Sequence, residues 1–193
     1  IPSKIFKNRI LKSVEEKNIF KIMNSSGTTD NNLSNIVLDK NTSKNQIKVL
    51  SKITKSLIGD SRLPMIIIDS QSILTSRDKF SARVAGINGF RNFSKDTIFA
   101  LDKNMKIDFK KILKFLNKYK NQKIIIFGLT YLIYQNFIKE LIKYKKKINL
   151  FQGIIIHGGG WKKLSTLNIS NHEFKKKLKE YCNIDNVHNY YGM

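Results

Sequence analysis

Three short stretches of this chain carry residue types that could hold an anion or a flat ring. Ser25-Ser26-Gly27-Thr28-Thr29 sets four hydroxyl groups around one glycine. Gly27 lets the backbone turn so that consecutive N–H groups converge on an anion, and the hydroxyls add donors. That is chemistry for phosphate. The stretch holds no lysine, so it is not the GxxxxGK[ST] loop that wraps phosphates before a helix. Lys21 is close in sequence but is free to point elsewhere. A hairpin turn rich in turn formers remains the plain alternative.

The second stretch is His157-Gly158-Gly159-Gly160-Trp161-Lys162-Lys163. Three glycines after an apolar run expose bare backbone, against which a flat ring can lie while peptide groups meet its edge. His157 could be structural, a base or a wall of such a pocket, and Trp161 could pack over the loop. The third is His188-Asn189-Tyr190-Tyr191-Gly192-Met193. Tyr191 could stack on a base, and the Asn189 amide offers a donor and an acceptor to a base edge. A buried tyrosine beside a turn is the alternative.

These stretches need elements to place them. Residues 19–23 and 35–39 have the look of two short strands, so the Ser/Thr/Gly stretch joins strand to strand. A helix comes next over 42–59, with Thr42 or Ser43 as its cap. Ile47, Leu50, Ile53, Leu57 and Ile58 recur at helical spacing, and Gly59 ends it. Continuous apolar runs at 64–69, 123–128 and 153–160 suit strands buried on both faces of a parallel sheet. Residues 97–102 are a weaker strand. Helices are expected at Arg77–Ala85, with Gly86 and Gly89 interrupting the chain after it, at Asp108–Tyr119, from Thr130 to about Lys147, and at Asn171–Tyr181. Residues 187–193 end in a strand and a glycine turn. The alternation predicts an α/β fold with a mostly parallel sheet flanked by helices. Ligands of such sheets bind beyond the carboxyl ends of the strands. Gly128, Gly158 to Gly160 and Gly192 sit at those ends. A domain rarely stops at its own active-site loop, so the chain reads as a piece of a longer protein.

The 193 residues suffice for one domain with a core. No run reaches the roughly 18 apolar residues of a membrane span. The N-terminal apolar residues are interrupted by lysine, arginine and glutamate, unlike a signal peptide. A single cysteine, Cys182, excludes an internal disulfide and a cysteine zinc site. Cytoplasm is the default location. The formal net charge of +22 attracts polyanions in general. Lys145–Lys147 and Lys175–Lys177 look like solvated helix ends or faces. Aromatic residues are not interleaved with the basic ones as a stacking platform requires, which argues against a nucleic-acid footprint. A basic nucleic-acid-binding protein, its glycines simple turns, stays as an alternative.

Taken together, the segments Ser25–Thr29, His157–Lys163 and Tyr191–Met193 resemble the acyl-protein synthetase family, the fatty-acid activating component of bacterial luminescence systems. Residues 58–70 and 81–90 share that look. The family is similar to the wider superfamily of adenylate-forming enzymes. The resemblance spans residues 19–193, and its most specific part is the glycine-tryptophan stretch. It implies the large N-terminal domain of such an enzyme over 1–193, in part, with a smaller C-terminal domain beyond. It implies ATP and Mg2+, a small carboxylic acid substrate, and coenzyme A, a carrier protein or another acyl-accepting protein as acceptor. By the same resemblance Ser25, Ser26, Gly27, Thr28 and Thr29 fall on the phosphate loop, Thr28 and Thr29 with His157 being the catalytic candidates. Gly158, Gly159 and Gly160 fall along the adenine, where the acyl pocket opens. Asn189 and Tyr191 match the adenine-edge and stacking positions, and Gly192 their glycine partner. His157 would line the carboxylate or acyl side. No residue of the chain is assigned to a metal. Cys182 is not assigned the acyl-accepting role.

One departure stands inside the loop. The family usually continues with glycine after the second threonine, and here Asp30 brings a negative charge towards the phosphates unless it turns away or meets a cation. An inactive nucleotide- or acyl-binding relative is the reading that this departure supports.

Overall fold

The structure is a computed structural model, and it describes residues 5–24, 35–75, 81–161 and 168–190. A short helix α1 (Ile5–Asn8) precedes β1 (Ile19–Asn24) and β2 (Asn35–Asp39), which pair antiparallel. Five further strands form one parallel sheet: β3 (Leu63–Ser70), β4 (Ser94–Leu101), β5 (Ile124–Leu129), β6 (Gly153–Gly158) and β7 (Val187–Tyr190). Their order across the sheet is β4-β3-β5-β6-β7.

The strand runs of isoleucine divide by parity between two cores. Ile66 and Ile68, Ile124 and Ile126, and Ile155 face one side. There they meet α4 (Phe109–Lys118) through Ile112 and Phe115, and α6 (Asn171–Cys182) through Phe174 and Leu178. The same side packs α5, made of Thr130–Leu132, a π-helical stretch Ile133–Ile138, and Lys139–Lys143. Met65, Ile67, Ile125, Phe127, Ile154 and Ile156 face the other way, onto α2 (Lys40–Ile58) and α3 (Ala82–Arg91). A continuous apolar run is therefore a strand with a partner on each face.

Several boundaries differ from the sequence expectation. The cap of α2 is Asp39, not Thr42 or Ser43: its Oδ1 accepts the Thr42 N–H at 2.6 Å. A carboxylate at this position also suits the positive end of the helix dipole. Of the α2 stripe, Ile58 is buried, whereas Ile47 and Ile53 are 62% and 47% exposed, because the sheet backs only the last part of the helix. Helix α3 runs through Gly86 and Gly89 instead of stopping before them. A Cβ at Gly86 would stand 3.2 Å from the Phe127 ring, and one at Gly89 3.2 Å from Leu50. These glycines allow close packing rather than ending the helix. Residues 77–80 of the expected helix lie outside the described residues; Ser81 caps α3, its Oγ accepting the Val84 N–H. Helix α5 stops at Lys143, short of Lys147, and Lys145 adopts a left-handed φ of 50°.

Candidate active site

The carboxyl ends of β5, β6 and β7 bring the predicted residues of the second and third stretches side by side. Gly128, His157 and Asn189 are register partners across the three strands, and Leu129, Gly158 and Tyr190 form the next row. His157 continues the parity of Ile155, so its ring enters the core under α6. It is 2% exposed and meets the Phe174 ring edge-on, centroids 5.0 Å apart. Trp161 packs on the same Phe174 and on Tyr134, at 5.6 and 5.5 Å. The tryptophan thus anchors the end of the glycine stretch. Asn189 is exposed at the sheet edge.

The three glycines have different reasons to be glycine. A Cβ on Gly158 would stand 2.6 Å from the Tyr190 carbonyl oxygen of the neighbouring strand. Gly159 turns with φ 76°, a conformation side chains disfavour. Around Gly160 nothing among the described residues lies within 4 Å of where a Cβ would point. The first two are fixed by the fold, whereas the third borders open space.

A residue that the sequence reading did not single out joins these strand ends. Thr130 opens α5 immediately after β5, and its hydroxyl donates to the Gly158 carbonyl at 3.1 Å. The same oxygen lies 2.9 Å from His157 Nδ1. Thr130 is itself buried. Burial, then the charges of Lys175 and His188, push the His157 pKa down to about 4, so the ring is neutral. A general base held that low takes a proton poorly near neutral pH.

A second polar group sits at the end of β3, on the opposite face. Asp69 is 2% exposed and belongs to the parity of Met65 and Ile67. Arg83 of α3 grips it with two nitrogens, Nε to Oδ2 at 2.6 Å and Nη2 to Oδ1. The Ser70 N–H donates to Oδ1 as well. Tyr131 lies close by; burial first of all raises its phenol pKa, while the Arg83 and Asp69 charges act on it in opposite senses. The aspartate closing an apolar run was the visible signal for this pair. Its arginine partner, 14 residues on, was not visible.

The predicted phosphate-loop residues Ser25, Ser26, Gly27, Thr28 and Thr29, with Asp30, lie outside the described residues, as do Tyr191 and Gly192. Among the described residues no group of three or more His, Cys, Asp or Glu side chains could hold a metal ion. Cys182 is buried in α6 and its thiol is pushed up to about 12 by that burial, which leaves no thiolate for acyl transfer near neutral pH. A groove of about 540 Å³ lies away from the glycines along α6. It is lined by His172, Lys175, Lys176 and Lys179 beside Ile184 and Asp185, a solvated basic face. Elsewhere lysines lie over aromatic rings of the chain itself: Lys118 over Tyr119 at 5.0 Å and Lys146 over Phe109 at 4.3 Å. These are cation–π pairs within the chain. No helix among the described residues is long and apolar enough to cross a membrane.

The family model "Acyl-protein synthetase, LuxE" matches residues 1–193, the whole chain. The chain belongs to the acyl-protein synthetase family. That places it within the adenylate-forming acyl-ligase superfamily. Its fold is similar to two solved structures. One is the amide bond synthetase McbA from Marinactinospora thermotolerans, at TM-score 0.51 and 11% identity, over 96% of this chain and 31% of that one. The other is ATP-bound MatB from Rhodopseudomonas palustris, at TM-score 0.51 and 15% identity, over 94% and 30%. The chain thus spans less than a third of either structure's length. No curated protein matches the sequence.

Proposed function

We propose that this acyl-protein synthetase family member activates a carboxylic acid with ATP. The acid is a fatty or other acyl acid. Its carboxylate attacks the α-phosphate, giving an acyl adenylate and pyrophosphate, and a thiol or other nucleophile then takes the acyl group. Coenzyme A, a carrier protein or an acyl-accepting protein would serve as acceptor. The observation that carries the reading is the glycine turn at the end of β6, whose preceding residue His157 is register-paired with Asn189 on β7, in a chain of this family. That MatB is described as ATP-bound supports nucleotide use here.

In this reading Gly158, Gly159 and Gly160 lie along the adenine, and the open space at Gly160 suits a flat ring. Asn189 meets the adenine edge, Tyr191 stacks on it and Gly192 makes room for it. Ser25, Ser26, Gly27, Thr28 and Thr29 donate to the phosphates, Thr28 and Thr29 neutralising charge on the transferring oxygens. Mg2+ supplies further neutralisation when bound with ATP. His157, buried and neutral, works by shaping the acyl side under the turn rather than as a base. The smaller C-terminal domain and the acyl-accepting group belong to the rest of a longer protein.

The test is carboxylate-dependent exchange of labelled pyrophosphate into ATP, with the intact protein, magnesium and a panel of acids. Exchange with long-chain acids, and little with small amino or aromatic acids, is the expected result. Folded protein that binds ATP yet exchanges with no acid would make it a binding relative. Asp30→Gly would then show whether the aspartate is responsible, by restoring exchange.

A further inference from the structure

Two buried side-chain atoms among the described residues have no hydrogen-bond partner, and one of them is His157 Nε2. Its state is dictated by the other side of the ring. Thr130 has one hydroxyl proton, and that proton goes to the Gly158 carbonyl. Towards His157 Nδ1 the threonine oxygen then acts only as an acceptor, so Nδ1 carries the imidazole proton. Both bonds form together only in this tautomer. The opposite tautomer would strand an N–H donor at Nε2 inside the core, and buried unpaired N–H groups are the rarer kind of orphan. Nε2 is therefore left as a bare acceptor beside Phe174.

We propose that Thr130 is a positioning residue for the glycine turn, acting through the Gly158 carbonyl and the His157 tautomer. It opens α5 directly after β5, the strand beside β6, and ties that helix to the end of β6. The hydroxyl takes up the Gly158 carbonyl just before Gly159 swings to its left-handed φ. The direction in which Gly159 and Gly160 leave the sheet is set by this bond. The role rests on the reading that the turn lies along ATP, but the bond itself does not.

Thr130→Val keeps the shape and removes the hydroxyl, while Thr130→Ser keeps the hydroxyl. The intact protein, labelled with 15N-histidine, reports the tautomer directly, the His157 signal being identified by its loss in His157→Gln. Wild type and Thr130→Ser should show the proton on Nδ1, and Thr130→Val should lose that preference. In pyrophosphate exchange Thr130→Val should raise the KM for ATP roughly five- to tenfold, as for loss of one neutral hydrogen bond, with kcat changed less than about twofold. Thr130→Ser should stay near wild type. A wild-type proton on Nε2, or a tautomer and ATP affinity indifferent to Thr130→Val, would overturn the proposal. If wild type exchanges with no acid while Thr130→Val alone shifts the tautomer and weakens directly measured ATP binding, the positioning role stands and the adenylation reading falls.

Discussion

Two buried polar groups sit at neighbouring strand ends on opposite faces of one sheet, and they solve burial differently. Asp69 and Arg83 are opposite charges joined by two hydrogen bonds, with the Ser70 N–H as a further donor. Thr130 and His157 are neutral, joined by one bond, with one imidazole nitrogen left over. An ion pair inside a core tolerates no missing partner, so the first group is committed to holding α3 on β3. A neutral pair with a spare acceptor constrains less, and it lies under the turn where a ligand would sit. The ionic group locks one face of the sheet, and the neutral group leaves an acceptor spare on the other.

The largest effect should come from breaking the committed pair. Asp69→Ala removes the buried carboxylate that Arg83 and the Ser70 N–H share and should cost about 3 kcal/mol of folding stability. Replacing both, with Asp69→Leu and Arg83→Met, exchanges the ion pair for apolar packing and should recover much of that loss. Urea unfolding midpoints of the three proteins decide the matter. A double variant as unstable as the single one would mean that the pair is valued for shape and not for charge.

How far the sequence foretold this contrast depends on what each half required. The strands were legible because a run such as Ile124–Phe127 has apolar neighbours on both faces, and only a central strand needs that. The glycine turn and Asn189 stood out because their residue types suit a ligand wherever they lie, a role that belongs to the proposed function. The sheet register then set Asn189 directly beside His157. The partnerships were not legible. Thr130 reaches His157 across 27 positions only because β5 and β6 are neighbours, and Asp69 reaches Arg83 only once α3 packs on β3. Gly86 and Gly89 misled for a related reason: a helical glycine that admits a neighbour's ring has the same letters as one that ends the helix.

The neutral group should reveal itself through pH. His157 has a pKa of about 4 in the fold against an ordinary 6.5, chiefly because burial disfavours its charged form. Between those values the unfolded chain takes up a proton that the folded chain refuses. Stability therefore rises with pH across this window, and it falls as the pH drops from 6.5 towards 4. The full loss is on the order of 3 kcal/mol. In His157→Gln this part of the acid sensitivity should vanish, leaving a shallower slope between pH 4 and 6.5. An unchanged slope would assign the acid sensitivity to other groups and remove the distinction between a neutral and an ionic solution.

The smallest expected change in stability is also the sharpest probe of the turn above that histidine. Gly158 and Gly160 are two residues apart, yet a Cβ on the first would collide with the Tyr190 carbonyl oxygen at 2.6 Å, while one on the second meets nothing among the described residues within 4 Å. Gly158→Ala must shift backbone and should cost about 1–3 kcal/mol, the usual penalty of overpacking. Gly160→Ala should leave the unfolding midpoint within about 0.5 kcal/mol of wild type. If the turn lies along ATP, that added methyl enters the space the nucleotide would use, and ATP binding should weaken in a protein that is otherwise as stable as before. A Gly160→Ala protein that keeps both its stability and its ATP affinity would move the nucleotide away from the third glycine, and the open space there would need another occupant.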